Sequence, residues 1–285
     1  MSIVEKAVGR ADKPRKDGSK PRTMMSGPVA EVQPVEPEIV KEDEVSIVVR
    51  TSDLEGTGLL SIADNAALAQ DFRFLKRPLL ARVFGVSRSG SATGHIVQLT
   101  SDLPGAGKSF AAFNFSVSLA QEQMMKVFLI DGDPLRRNLT MALSMQDQPG
   151  LLEVLQDPSM LLEDVALQTD LPSLRFIPAG QPRPNSTELL SSRRMVEALK
   201  ALDDPDTIVL LDSPPMLLTA EARVLAEQVD HTLVVVEAGS TSVANVDAVL
   251  KLLKEAEANV SFILNKAPHS SKERDAAYYG YGYGY

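Results

Sequence analysis

The sequence predicts an α/β fold: a mostly parallel sheet flanked by helices, with a disordered N-terminal arm and a flexible Tyr/Gly C-terminal tail. Short apolar runs at 95–100, 126–131, 174–178, 207–212, 232–236 and 260–264 read as buried strands. Helical segments at 108–122, 150–156, 185–202, 219–228 and 242–257 alternate with them. At 285 residues and 44% hydrophobic composition the chain can bury a real core. Strands alternating with helices imply right-handed crossovers, and so parallel strands covered on both faces. Ligands in such folds bind at the carboxyl edge of the strands, which is where the chemistry is sought.

Taken in order, residues 1–55 are rich in proline and charge and read as a disordered leader. Residues 1–22 carry seven Lys or Arg against three acids, and residues 31–44 carry six acids against one Lys. Residues 60–94 form a helix and linker and are a candidate oligomerisation element. Its pattern runs from Ile62 to Phe84, with Leu68, Phe72, Leu75 and Leu79 at spacings of three and four, interrupted late by Pro78. A nucleotide-binding domain is expected over 95–267 and a tyrosine-rich tail over 268–285.

The first strand of that domain runs into Ser101-Asp102-Leu103-Pro104-Gly105-Ala106-Gly107-Lys108-Ser109-Phe110 and then a helix. This is a phosphate-loop context, although Asp102 replaces the first glycine of the GxxxxGK[ST] pattern. The turn Pro104-Gly105-Ala106-Gly107-Lys108-Ser109-Phe110 can surround phosphate oxygens with the backbone N–H groups that follow Pro104, Lys108 can reach the outer phosphates, and the Ser109 hydroxyl suits magnesium. The second strand ends at Asp131-Gly132-Asp133 and the fourth at Asp212-Ser213-Pro214-Pro215. A parallel sheet delivers these carboxylates to the edge that holds Lys108, as hard oxygen ligands for a nucleotide-bound cation or as a base.

Composition excludes several functions. With no cysteine, disulfides, thiolate chemistry and cysteine-ligated metals are absent. Three scattered histidines, His95, His231 and His269, make no ligand cluster. A net charge of -9 argues against nucleic acid as a partner. No apolar run approaches the roughly 20 residues that span a bilayer, so a membrane link is expected through a partner. The five tyrosines, Tyr278, Tyr279, Tyr281, Tyr283 and Tyr285, all lie in the last eight residues, spaced by glycine. Glycine favours flexibility over packing, and the tail reads either as a sticky end or as a substrate for tyrosine modification.

At these residues the chain resembles the bacterial tyrosine kinases, phosphate-loop autokinases of exopolysaccharide and capsule export, and is most similar to the exosortase-associated tyrosine autokinases. The resemblance covers about residues 65–285 and rests on TSDLPGAGKS, VFLIDGD, IPAGQPRPNSTELLSS, IVLLDSPP, the Arg-Pro-Leu-Leu run at 77–80 and the tyrosine cluster. It implies a phosphate-loop NTPase fold, ATP and Mg2+ as cofactors, and transfer of phosphate to Tyr278, Tyr279, Tyr281, Tyr283 and Tyr285, in cis or in trans. Lys108 and Ser109 are then phosphate and magnesium contacts, Asp131 the base toward the tyrosine hydroxyl, and Asp133 and Asp212 the residues that place the metal. Asn265 falls where relatives place the adenine. The resemblance also implies a separate chain-length-determinant membrane protein as activator, a ring-forming homo-oligomer, a tyrosine phosphatase, and a cytoplasmic location at the inner membrane through that partner.

Two departures from the family pattern matter. Relatives carry an arginine two residues after the second aspartate; here Pro134 and Leu135 intervene before Arg136 and Arg137. The ring-packing Glu-x-x-Arg-x-x-Arg is replaced by Gln70, Arg73 and Lys76-Arg77. The alternative function is a nucleotide-switch ATPase of the partitioning or cell-division-site type. Such proteins carry a lysine five residues before the phosphate-loop lysine, where this chain has Leu103.

Overall fold

Burial on both faces is what turns a strand into an unbroken apolar run, and the centre of the sheet is built this way. In the computed structural model, β2 (Ile96–Ser101), β3 (Lys126–Asp131) and β6 (Thr207–Asp212) are buried along nearly their whole length. Residues 47–52, 54–57, 59–83, 95–122, 125–202 and 204–267 are described. The leader before residue 47 and the tail after residue 267, with all five tyrosines, lie outside them.

The other strands are β1 (Val48–Val49), β4 (Leu167–Thr169), β5 (Leu174–Ile177), β7 (His231–Glu237) and β8 (Val260–Asn265). Their order across the sheet is β1, β4, β5, β3, β6, β2, β7, β8. Every described pairing is parallel except β4 with β5. The β3–β6 register sets Asp131 directly opposite Asp212.

Successive residues of each strand face opposite layers. Val127 and Leu129 of β3 join one apolar cluster, while Phe128 and Ile130 join the other. The first layer contains α1 (Ala66–Val83) and α2 (Lys108–Ala120), with Phe72 edge-on to Phe110 at 6.1 Å and to Phe115 at 4.9 Å. The second contains α4 (Leu151–Gln156), α5 (Ser186–Leu190) and α6 (Arg193–Lys200), with α7 (Ala220–Ala226) and α8 (Val243–Glu255) following toward the β8 side. A short helix, α3 (Asn138–Ala142), follows β3.

The structure departs from the sequence-based expectation in four places. Residues 47–52, expected within the leader, instead carry β1. Val49 is buried, its carbonyl accepts from Asp170 N, and the Thr51 amide donates to the Asp170 carboxylate at 3.0 Å. Helix α1 is not interrupted by Pro78 but runs through it. Buried Leu79 and the Lys76–Glu122 ion pair (2.6 Å) hold the surrounding turns in place, and Lys76 Nζ also donates to Ser118 O. The helix expected over 185–202 breaks at Ser191-Ser192, whose hydroxyls donate back to carbonyls of Thr187, Glu188 and Leu189. Finally, the antiparallel strand β4 was not legible, being three residues long.

Candidate active site

Two glycines allow the phosphate loop to close. Gly105 and Gly107 both sit at φ +95°, in the left-handed region that glycine adopts freely. A Cβ on Gly107 would also collide with the Asn265 side-chain amide. Helix α2 begins at Lys108, so the free N–H groups of its first turn face the loop, a ready anion site. Pro104, Gly105, Gly107, Lys108, Ser109 and Phe110 line a cup of about 290 Å³ there, completed by Arg136, Asn138, Ala142, Thr57 and Leu59. The phosphate-loop residues expected from the sequence thus converge, save that Ala106 is buried behind them.

Beneath the cup the strand ends bring the predicted acids to Lys108. Its Nζ lies 3.7 Å from Asp133 Oδ2 and 3.9 Å from Asp212 Oδ1. All four side chains, Lys108, Asp131, Asp133 and Asp212, are buried. Among the described residues no well-formed hydrogen bond reaches Asp133 Oδ2 or either oxygen of Asp212, though the Ser109 hydroxyl lies close enough to Asp212 to lower its proton affinity. Buried carboxylate oxygens are expensive to leave so, and two such groups beside a serine hydroxyl fit a hard cation. No group of three or more acid, His or Cys side chains is placed to hold a metal ion by itself among the described residues. Asp133, Asp212 and Ser109 would hold such a cation, and it would supply charge neutralisation beside a bound phosphate.

Asp131 differs from its neighbours. Its Oδ2 accepts from both the amide and the hydroxyl of Thr140 at 2.8 Å, and its Oδ1 accepts from Asp133 N at 3.2 Å. The Thr140 hydroxyl in turn accepts from Ala179 N at 2.9 Å. Burial pushes Asp131 up to about 6 against the lowering effect of these bonds. Burial pushes Asp212 up to about 7, with Lys108 opposing the rise and Asp131 adding to it.

The two arginines separate. Asp133 Oδ1 accepts from Arg136 N at 3.1 Å, shaping the turn that sends Arg136 to the cup, whereas Arg137 Nη1 donates to Gly180 O. Asn265 donates to Ala106 O at 2.8 Å, which ties the end of β8 to the phosphate loop. It also borders an apolar cup with Leu68, Phe72, Phe110 and Lys266. Sequence reading missed Thr140 and the partners of Asp102: Thr241 Oγ1 and Asn245 Nδ2 donate to its two carboxylate oxygens at 3.1 and 2.9 Å. In the helix before the loop, Lys76 is turned inward by Glu122, while Gln70, Arg73 and Arg77 are exposed.

Residues 94–266 match the AAA domain family. The tyrosine-protein kinase YwqD of Bacillus subtilis (strain 168) is 30% identical over 184 residues, 65% of this chain and 77% of YwqD. The chain belongs to the bacterial tyrosine-protein kinase family. A second member, the tyrosine-protein kinase Ptk of Acinetobacter johnsonii, is 28% identical over 257 residues, 90% of this chain but 33% of Ptk. The chain thus spans about a third of that relative's length. Among solved structures, the kinase domain of the Escherichia coli tyrosine kinase ETK superposes with a TM-score of 0.63 at 26% identity, covering 79% of this chain and 84% of that domain. The fold of this kinase family is a nucleotide-binding one, and no described helix is long and apolar enough to cross a membrane.

Proposed function

We propose that the chain is an ATP-dependent tyrosine autokinase that phosphorylates its own tail at Tyr278, Tyr279, Tyr281, Tyr283 and Tyr285, and thereby regulates exopolysaccharide polymerisation and export. The observation that carries this reading is the set of buried strand-end carboxylates around Lys108, two of them with oxygens to which no described residue makes a well-formed hydrogen bond. Magnesium, held by Asp133, Asp212 and Ser109, supplies charge neutralisation when bound. Lys108 and the Pro104–Phe110 backbone hold the phosphates, and the apolar cup at Phe110 and Asn265 suits the base. A tyrosine hydroxyl has a pKa near 10, so a carboxylate must take its proton at neutral pH. Asp131, oriented by Thr140 and raised in proton affinity by burial, is the proposed acceptor. The bond from the γ-phosphorus to its bridging oxygen breaks, a bond to the tyrosine oxygen forms, and ADP leaves.

A nucleotide-switch ATPase is the poorer reading, since Leu103 supplies no lysine to reach a partner's nucleotide and that class gives the tyrosine cluster no role. The family further supports a separate chain-length-determinant membrane protein as activator, ring assembly, reversal by a phosphatase, and a place at the inner membrane through the activator. Each phosphate adds about -1.5 to -2 charges, so a fully modified tail repels its neighbours and the assembly loosens, which light scattering before and after ATP treatment can follow. The deciding experiment is incubation with magnesium and ATP followed by phosphosite mapping by mass spectrometry. Phosphate is expected on the five tail tyrosines and absent from Lys108→Met. A wild-type chain with no phosphotyrosine, even with the activator's cytoplasmic segment present, ends the kinase reading.

A further inference from the structure

The residue that breaks the phosphate-loop pattern, Asp102, is the point where three loops of the catalytic edge meet. Its carboxylate accepts from Thr241 Oγ1 and Asn245 Nδ2 in the segment that opens α8, and its carbonyl accepts from Leu217 N in the loop after β6. Thr241 is fixed in turn by the Glu237 amide at the end of β7. Asp102 itself is buried while Thr241 and Asn245 are half-buried, so the bonds are partly shielded from water at the Asp102 end.

Within two residues of each joined group stands an aliphatic side chain turned to solvent: Leu103 (39% exposed) after Asp102, Leu218 (58%) after Leu217, and Val243 (78%) between Thr241 and Asn245. The three loops that Asp102 joins thus each hold one apolar group out of the core, within two residues of a bond to that hub and on the strand edge that carries the phosphate loop. Scattered single leucines need no explanation, whereas apolar groups gathered on different loops at one site mark a contact surface.

The chain carries a segment that fits this surface. Strand β8 ends opposite the end of β7, with Glu237 in register with Asn265 and Ala238 N donating to Asn265 O. The chain therefore leaves the sheet two strands from β2, a lateral distance of about 10 Å. From Ala267 to Tyr278 there are eleven steps, an extended reach of about 36 Å, ample for the crossing. Residues 276–285, Ala-Ala-Tyr-Tyr-Gly-Tyr-Gly-Tyr-Gly-Tyr, contain no charged side chain. In an extended chain Tyr279, Tyr281, Tyr283 and Tyr285 share one face at a repeat of about 6.6 Å, and each ring offers an apolar body with a polar tip.

Resting on the kinase reading above, we propose that Leu103, Leu218 and Val243 are the docking surface for residues 276–285 of this chain, holding the tyrosines that wait while another occupies the phosphate site. The glycines leave the opposite face of the segment bare, so it can slide by one Tyr-Gly repeat and present the next hydroxyl. A phosphorylated ring, carrying about two negative charges, no longer suits an aliphatic rim, and modified repeats leave it.

The test exploits a chain that has no cysteine. A full-length Leu218→Cys/Tyr283→Cys variant under mild oxidation is expected to form its cross-link at least fivefold faster than Leu161→Cys/Tyr283→Cys. Leu161 is similarly exposed (47%) but lies by α4 on the other flank of the sheet. Equal rates overturn the docking surface, and this readout needs no catalysis. In parallel, a Leu218→Ser/Val243→Ser variant is expected to phosphorylate its own tail about tenfold more slowly. Its affinity for a fluorescent ATP analogue and its rate on a saturating unrelated tyrosine polymer are expected to stay at the wild-type level. A tail rate equal to wild type overturns the proposal while leaving the kinase reading intact, and the absence of phosphotyrosine in wild type overturns that reading separately.

Discussion

The exits of β3 and β6 lie side by side, with Asp131 and Asp212 paired in register, yet they meet the cost of a buried carboxylate in opposite ways. At the β3 exit the chain supplies its own donors: Thr140 gives two hydrogen bonds and Asp133 N a third. At the β6 exit neither oxygen of Asp212 has a well-formed hydrogen bond from a described donor, with Lys108 at 3.9 Å and the Ser109 hydroxyl close by. A group satisfied from within is fixed in orientation before any ligand arrives. One left unsatisfied stores a cost that a ligand relieves on binding. The two sites are thus built for different tasks, Asp131 to be aimed and Asp212 to be completed.

Neutralising each acid in turn is the sharpest way to break this contrast. Asp212→Asn is expected to lower tail phosphorylation about 100-fold or more, through loss of a charged contact at the transferring phosphate. The same change stabilises the nucleotide-free protein. The raised pKa of Asp212 means that the folded chain holds this proton longer than the unfolded chain, so its contribution to stability falls as pH rises from about 4 to about 7. Thermal unfolding without nucleotide should therefore show a Tm that declines over that window in wild type and less steeply in Asp212→Asn. Asp131→Asn is expected to do the reverse in the apo state, costing about 1–3 kcal/mol, because an amide presents fewer acceptors to the Thr140 and Asp133 donors. Equal stability changes in the two variants would erase the distinction drawn here.

A smaller effect tests what the Thr140 contacts do. The Thr140 hydroxyl lowers the pKa of Asp131 and also satisfies Ala179 N. Thr140→Val removes the hydroxyl and keeps the amide, so the pKa of Asp131 should rise further above about 6. A base must be unprotonated to act, and the acid limb of the kcat profile is expected to move to higher pH. The rate should fall about threefold near pH 6 and little at pH 8. An unmoved limb would remove Asp131 from the role of base and leave it as an anchor for α3.

These contrasts also mark the limit of what the sequence could tell. The six long strands, the phosphate loop and the convergence of Lys108, Asp131, Asp133 and Asp212 were legible because each rests on a local pattern: an apolar run, a Gly-rich turn, an acid at a strand end. Thr140 was not legible, since its partner lies nine residues away across a turn whose shape is set by Asp133 and by Arg137 at φ +50°. The Asp102 joint spans about 140 residues of sequence, and nothing in Thr241 or Asn245 announces it. Residues 48–49 read as leader because a two-residue edge strand is too short for periodicity; Asp170, far along the chain, holds it. Local chemistry shows in sequence, while side chains that position that chemistry from a distance do not.

The β3 exit also separates two neighbouring arginines, and this gives the finest test of how it is built. Asp133 accepts the Arg136 amide and so turns that side chain toward the phosphate cup, while Arg137 reaches away to Gly180 O at 3.3 Å. Arg136→Ala is expected to weaken binding of a fluorescent ATP analogue about 3- to 10-fold, the loss of one charge-assisted phosphate contact. Arg137→Ala should leave that affinity unchanged and cost less than about 1 kcal/mol of stability, the value of one partly exposed hydrogen bond to a carbonyl. The reverse ranking would show that the turn rearranges when nucleotide binds, and that the β3 exit is not fixed in advance as the Asp131–Thr140 pairing implies.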